Sequence, residues 1–493
     1  MNFPIITICL FVGSVVAFSA PKSRQEFRTS ANSPAIQKLK NKIESILPSQ
    51  KKDLIDTIYA VSLTESDVLY ERDPDKLVIP ASVAKLFTTY AALKKMKPTA
   101  TFKTTVYSKG IIKDGKLGGD LYLKGGGDPG LVSERMWMMV NELVRSGIRT
   151  ITGNIVADSS YYDEEKTPES RPKYLKDQAY NAPIGALSFN FNTTTVYVKP
   201  GEAPGSAPLV YTDPENSYID IVNQATTGKS GSKNSLTASR TEFVKGDIGD
   251  TVLLRGAIPM ESGELHFYKN IVNPALYTAH MFRTFWEQRG LKMTGNILEG
   301  QVPDKAKLIL EFESQPLWHV IWGMNKFSNN FVADQVLKKL GAEAWGAPGT
   351  RQKGLMAMQD ALEDIGIAKG SYEMQDGSGL TRGTRVSSRQ IVTVLNAIHR
   401  DFSIAPEAMA SLSIAGEQGT LKRRFPNSTI QSELRAKTGT LDGVNSLAGF
   451  VTSADGELIA FAIILNDPKL RYGRMTHWID QITLALSSFS RKS

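Results

Sequence analysis

The stretch PASVAKLFTTYAALKKM, residues 80–96, decides the fold. Pro80 suits the first turn of a helix. Val83, Leu86, Phe87, Tyr90 and Leu93 recur at helical spacing. Ser82 therefore falls near the N-terminus of a buried helix, with Lys85 three residues on and on the same face. An amine takes a hydroxyl proton only in its neutral form, which burial and a second nearby cation both favour. The helix N-terminus favours negative charge developing at Ser82. The pair is a candidate nucleophile and base.

Upstream, residues 58–63 (IYAVSL) and 68–70 (VLY) read as two strands joined by the turn-rich Thr64-Glu65-Ser66-Asp67. Downstream, from about 100 to 275, the character changes to short apolar or alternating runs punctuated by Gly, Pro, Asn and Ser, which predicts mainly β structure. Gly125-Gly126-Gly127-Asp128-Pro129 reads as a tight turn. Gly228-Lys229-Ser230 lacks the glycine five places earlier that a P-loop requires, because position 223 is Asn. Helices return with PALYTAHMFRTFWEQRG and PLWHVIWGMNKFSNNFVADQVLKKLG. The chain ends in a hairpin of two buried strands, residues 448–452 and 458–465, turning at Asp455-Gly456. Strands at both ends around central helices predict an α+β domain closed by its two termini.

The 493 residues are 41% hydrophobic and 22% charged, an ordinary globular composition. Length predicts about three domains at roughly 150 residues each. The formal charge of +8 favours peripheral association with an anionic cell envelope over nucleic acid, because Lys and Arg are mostly scattered among Asp and Glu. Residues 1–20, MNFPIITICLFVGSVVAFSA, read as a signal peptide for export, although no Lys or Arg precedes the apolar run. That run is shorter than the about 20 apolar residues of a membrane span. Cys9, the one cysteine, lies inside it, so a mature chain has no thiol for a disulfide, a nucleophile or a thiolate metal site. The five histidines show no metal-ligand spacing, and neither a metal nor another cofactor is expected.

Ser-x-x-Lys recurs at Ser49–Lys52 and Ser230–Lys233 in polar context, and Ser-x-Asn at Ser188–Asn190 and Ser232–Asn234 as well as Ser328–Asn330. Lys437-Thr438-Gly439 occurs once. What is specific is the order: Ser-x-x-Lys on a helix, Ser-x-Asn after an amphipathic helix, Lys-Thr-Gly on a strand. That order resembles the penicillin-binding proteins and serine β-lactamases. The flanks MNKFSNNFVADQVLKKLG, QDGSGLTRGTRV, SIAGEQGTLKRRF and AKTGTLDGVNSLAGFV, with NAPIGALSFN and IVNPALYTA, resemble the D-Ala-D-Ala carboxypeptidase family of class C, low-molecular-mass penicillin-binding proteins.

The resemblance implies a penicillin-binding-protein/β-lactamase-like α+β fold, an antiparallel sheet with helices, carrying inserted β-rich domains. The acylating domain is expected at 35–103 and 310–491, one insert at 104–179 and 276–309, and a second nested at 180–275. The insert is expected to shape access to polymeric substrate rather than to take part in chemistry. The same resemblance implies site roles. Ser82 attacks the D-Ala-D-Ala carbonyl of peptidoglycan stem peptides and Lys85 takes its proton. Ser328 relays a proton to the leaving amine, and Asn330 orients Lys85 and the substrate amide. Lys437, staying charged, binds the terminal carboxylate with Thr438, and Gly439 lets substrate approach the strand. The N–H groups of Ser82 and Thr440 form the oxyanion hole. Arg382 is a candidate for a stem-peptide carboxylate, and Tyr180 and Asp177 are candidates to face the stem peptide. β-Lactams would act as covalent inhibitors of an exported, periplasmic enzyme. A β-lactamase and a catalytically silent wall-binding protein remain the rival readings, and the sequence leaves carboxypeptidase against endopeptidase open.

Overall fold

A computed structural model describes residues 27–29, 33–47, 54–241, 249–470 and 472–492. The expected signal peptide, Cys9, Ser49 and Lys52 lie outside them. The first and last long strands are neighbours: Ile55–Ser62 pairs antiparallel with Leu458–Asn466. Together they form the middle of a seven-stranded sheet. From there it continues through Val444–Thr452 and Leu434–Leu441 to the short Ser413–Ile414. On the other side lie Asp67–Arg72 and Arg28–Thr29.

The apolar runs AVS and LIAFAIIL are nearly continuous because both faces of this sheet are covered. Side chains alternate between two cores. Tyr59, Val61, Ala460, Ala462 and Ile464 face a helical layer that includes Lys85–Met96, Asn330–Trp345 and Ser388–Arg400. Ile58, Ala60, Phe461, Ile463 and Leu465 face helices Pro34–Ile46 and Tyr472–Ser487. Each large apolar side chain so buried contributes about 1.5–3 kcal/mol. The alanines at 460 and 462 leave room for the helical layer to approach.

The chain leaves this sheet and its helices and returns to them on adjacent strands, Lys103–Ser108 and Lys307–Glu313, paired antiparallel. They belong to a five-stranded sheet with Leu121–Gly125, Ile155–Asp158 and Ile297–Glu299. Two three-stranded sheets lie within the excursion, one of Leu209–Asp213, Thr193–Lys199 and Leu265–Asn270, the other of Ile219–Asn223, Asp250–Arg255 and Thr237–Thr241. One apolar cluster runs through the whole excursion, from Val106 and Leu123 through Phe189 and Val252 to Trp286 and Phe312. The region is not strand alone. Ser133–Arg145 is a helix burying Met136, Met139, Val140 and Leu143. That is a helical repeat in SERMWMMVNELVR which the turn-rich surroundings hide. Helix Pro274–Gln288 starts as its sequence requires, with Pro274 in the first turn and the Asn273 side chain accepting from the N–H groups of Ala275 and Leu276.

Candidate active site

Ser82 sits on a tight turn, Ala81–Ala84, that runs directly into helix Lys85–Met96. Ala81 before it has φ 50°, in the left-handed region. Such backbone is costly for alanine and persists where the surroundings hold it, which recurs at functional sites. Lys85 is fully buried. Its Nζ lies 2.9 Å from Ser82 Oγ, 2.7 Å from Asn330 Oδ1 and 2.8 Å from the Ser378 carbonyl oxygen. A neutral amine has two N–H groups and one lone pair. The two N–H groups suit the carbonyl oxygens of Asn330 and Ser378, and the lone pair is left for the Ser82 hydroxyl. Burial pushes the Lys85 amine down to about 7 against the pull of the Asp334 and Asp376 carboxylates, with Arg171 adding to the depression.

Three residues separate helix Leu317–Lys326 from helix Asn330–Trp345. Between them Ser328 takes φ 55°, and Asn329 caps the second helix by accepting from Val332 N–H. This elbow turns the Ser328 hydroxyl to within 2.8 Å of Lys437 Nζ, which also donates to the Thr438 carbonyl oxygen at 2.8 Å. The strand Leu434–Leu441 thus carries a second fully buried amine to the site. Here the structure departs from the expected fixed charge. Burial, and then the nearby Lys85 charge, push Lys437 well below the ordinary lysine range.

The backbone at Gly439 has no room for a side chain. A Cβ there would come within 2.2 Å of Ser446 Oγ, 2.7 Å of the Pro80 carbonyl oxygen and 3.1 Å of Ser82 N. The missing side chain lets the strand pack against the turn that carries Ser82. Thr438 Oγ1 donates to Thr420 Oγ1 at 2.7 Å, and Thr440 is exposed. On its outer side the strand is paired by Ser413–Ile414 only at Ala436 and Arg435, short of Lys437.

The remaining candidates divide. Tyr180 enters through its main chain: its carbonyl oxygen accepts from Asn330 Nδ2 at 2.9 Å, while half of its side chain stays exposed. Arg382 is exposed at the rim, donating to the Asp442 carbonyl oxygen at 2.7 Å. Asp177, three residues before Tyr180, has its carboxylate engaged by neighbours. Its carboxylate pairs with Lys269 at 2.7 Å and accepts from Gln178 Nε2 at 2.8 Å. Lys269 outweighs the upward push of burial and holds Asp177 below the usual carboxylate range. The spare matches have other tasks: Ser188 Oγ donates to the Gly185 carbonyl oxygen, and Asn234 Oδ1 accepts from Leu236 N–H.

Sequence reasoning missed a buried charged cluster behind Lys85. Arg171, from the insert, donates to Asp334, and to Asp376 Oδ2 and Ser378 Oγ at 3.2 Å each. Asp334 stands four residues after Asn330 on one helix, a spacing that could have found it. Arg171 lies in the polar run TPESRPKY, which carries no such signal. Residues 104–309 thus reach the site: the Arg171 side chain meets Asp334 and Asp376, and the Tyr180 carbonyl oxygen accepts from Asn330. Among the described residues no helix is long and apolar enough to cross a membrane, and no three His, Asp or Glu side chains gather to hold a metal ion.

Known proteins resemble this chain over most of its length. A D-alanyl-D-alanine carboxypeptidase of Actinomadura sp. (strain R39) is 32% identical over 461 residues, covering 88% of this chain and 82% of its own. The D-alanyl-D-alanine carboxypeptidase DacB of Haemophilus influenzae is 26% identical over 409 residues, 83% of this chain and 84% of its own. The crystal structure of penicillin binding protein 4 (dacB) from Haemophilus influenzae superposes with a TM-score of 0.77 at 24% identity, covering 90% of this chain and 98% of that one. The fold is thus the penicillin-binding-protein fold. Residues 39–483, most of the chain, match one family, and the chain belongs to the D-Ala-D-Ala carboxypeptidase 3 (S13) family.

Proposed function

We propose that the chain is a serine-type D-Ala-D-Ala carboxypeptidase, with DD-endopeptidase action on cross-linked stem peptides, working through a Ser82 acyl-enzyme that β-lactams trap. The observation that carries this reading is the 2.9 Å approach of the buried Lys85 amine to Ser82 Oγ, with the amine's two other partners both acceptors. Ser82 Oγ attacks the carbonyl carbon between the two D-alanines while its proton passes to Lys85 Nζ. Negative charge developing on the carbonyl oxygen falls to the N–H groups of Ser82 and Thr440; in other enzymes one such donor is worth about 3–4 kcal/mol. The C–N bond breaks as the leaving amine takes a proton by way of Ser328. Water then attacks the Ser82 ester, releasing the shortened peptide and restoring the hydroxyl.

Lys437 supplies the carboxylate site. The free site holds this amine below its ordinary proton affinity, and an arriving carboxylate is the countercharge that restores it. The strand edge beyond Ala436 offers main-chain pairing to an extended stem peptide. Arg382 and Tyr180, both exposed, would meet the peptide beyond the scissile bond. The chain is exported, and a division into an acylating domain and inserted domains fits the paired strands Lys103–Ser108 and Lys307–Glu313.

The test is to incubate the purified protein with pentapeptide and with cross-linked muropeptides and to identify products by mass. Loss of one D-Ala, together with cleavage of the cross-link, is expected. Intact muropeptides alongside many-turnover hydrolysis of nitrocefin would make the chain a β-lactamase instead.

A further inference from the structure

Arg171 lies outside all three sequence motifs, yet its side chain is buried at the base of the site. It comes from the segment between strand Ile155–Asp158 and the short turn Lys173–Leu175, within the insert. Nη1 donates to Asn181 Oδ1 at 3.1 Å, and Nη2 reaches Asp334, Asp376 and Ser378. The three Nη2 partners belong to the two elements that carry Lys85's acceptors. Asp334 is one helical turn beyond Asn330, and its Oδ1 accepts from Gly377 N–H at 2.9 Å. Asp376 folds the turn that aims the Ser378 carbonyl at Lys85. Its Oδ1 accepts from the N–H groups of Ser378 and Gly379 at 3.1 and 2.6 Å. Its Oδ2 accepts from Thr381 N–H at 3.1 Å.

Charge counting gives the cluster a purpose. Lys85 is faced by Asp334 from its helix, Asp376 from its turn, Arg171 from the insert and Lys437 from the sheet. Two carboxylates with no arginine would hold both buried amines protonated. With Arg171 present and both carboxylates ionised, which Arg171 favours at Asp334 against the upward push of burial, a single negative charge is left for one proton on the lysine pair to balance. One of the two amines is then free of a proton.

We propose that Arg171 is a positioning residue for acyl transfer, which ties together the two elements holding Lys85 and offsets the charge of Asp334 and Asp376 so that one buried amine stays neutral. This rests on the reading of Lys85 as the base. It makes the insert part of the acylating machinery and not only a guard of its entrance.

The test is the rate of acylation by a fluorescent penicillin, followed from pH 5 to 10 for a set of variants whose folding is checked by thermal melting. Arg171→Gln should move the acid limb up by about one pH unit, a roughly tenfold loss at a pH below the limb. Asp334→Asn should move it the opposite way. Arg171→Lys, which keeps the charge, should leave the limb in place. The double variant Arg171→Gln/Asp334→Asn removes one charge of each sign and should return the limb toward the wild-type position. A uniform drop at every pH, with no limb displaced, overturns the proposal and leaves Arg171 a structural residue. If Arg171→Gln fails to fold, Asp334→Asn and the charge-balanced double variant still decide, because an unmoved limb in the first or a displaced limb in the second contradicts the charge balance. Lys85→Arg separates the two readings. Wild-type acylation by that variant refutes the base itself, whereas an inactive Lys85→Arg with unmoved limbs in the others refutes only the role of Arg171.

Discussion

The Lys437 amine donates to the Ser328 hydroxyl over 2.8 Å, a counterpart of the 2.9 Å approach of the Lys85 amine to Ser82. Each serine of the site therefore has its own buried lysine. The Lys85 charge lowers the proton affinity of Lys437 on top of what burial does. Acylation should rise with pH, with a midpoint near the value of about 7 to which burial pushes Lys85. Below that midpoint the amine is an ammonium and cannot accept the Ser82 proton, so each further pH unit costs about tenfold. Stopped-flow acylation by a penicillin across pH 5 to 9 checks the sign. A flat profile, or one that falls as pH rises through 7, contradicts it.

Arginine in place of each lysine separates their work. A guanidinium stays protonated and cannot act as base. Lys85→Arg should lose acylation by the about 10²–10⁴-fold that a positioned base contributes. Lys437→Arg keeps a charge for the carboxylate and should lose less, chiefly through weaker recognition of carboxylate-bearing ligands. Acylation rates and melting temperatures measured on both variants check the ranking; equal losses would contradict it.

How much of this was legible in the sequence follows from which residues act locally. The sheet closed by both termini was readable because apolar runs such as LIAFAIIL and turns such as Asp455-Gly456 record burial and reversal in a few adjacent residues. Ser82 and Lys85 were readable because a single helical turn spaces them. Helix Ser133–Arg145 carried its repeat but was masked by turn-rich neighbours. Arg171 was not readable, since its partners lie 163 and 205 positions away and only the folded insert brings them together. The same distance effect hid the partner of Asp177. Lys269, 92 positions on, claims its carboxylate.

Gly439→Ala tests why the strand carries a glycine. The added methyl would press on the Pro80 carbonyl and Ser82 N. Backbone on one side and a buried sheet on the other leave it nowhere to go, and overpacking of this kind costs about 1–3 kcal/mol. Both the melting temperature and the acylation rate should fall. A variant that acylates small penicillins normally and loses only peptide substrate would return the glycine to the role of admitting substrate.

Asp177→Asn tests the assignment of that residue to the frame of the insert. Its loss leaves Lys269 largely buried without its counter-ion. Stability should fall by about 1–3 kcal/mol, read as a lower denaturation midpoint, with acylation by penicillin unchanged. A stable protein with impaired turnover of stem peptide would place Asp177 in substrate recognition after all.

The central claim is that Ser82 carries the acyl group, and the mass of the trapped adduct tests it most directly. The protein is incubated with benzylpenicillin, its intact mass measured and the modified peptide mapped. The account predicts one penicilloyl group per chain, on the peptide containing Ser82, and none on Ser82→Ala. An adduct on Ser230 or Ser328, or acylation of Ser82→Ala at the wild-type rate, would contradict it.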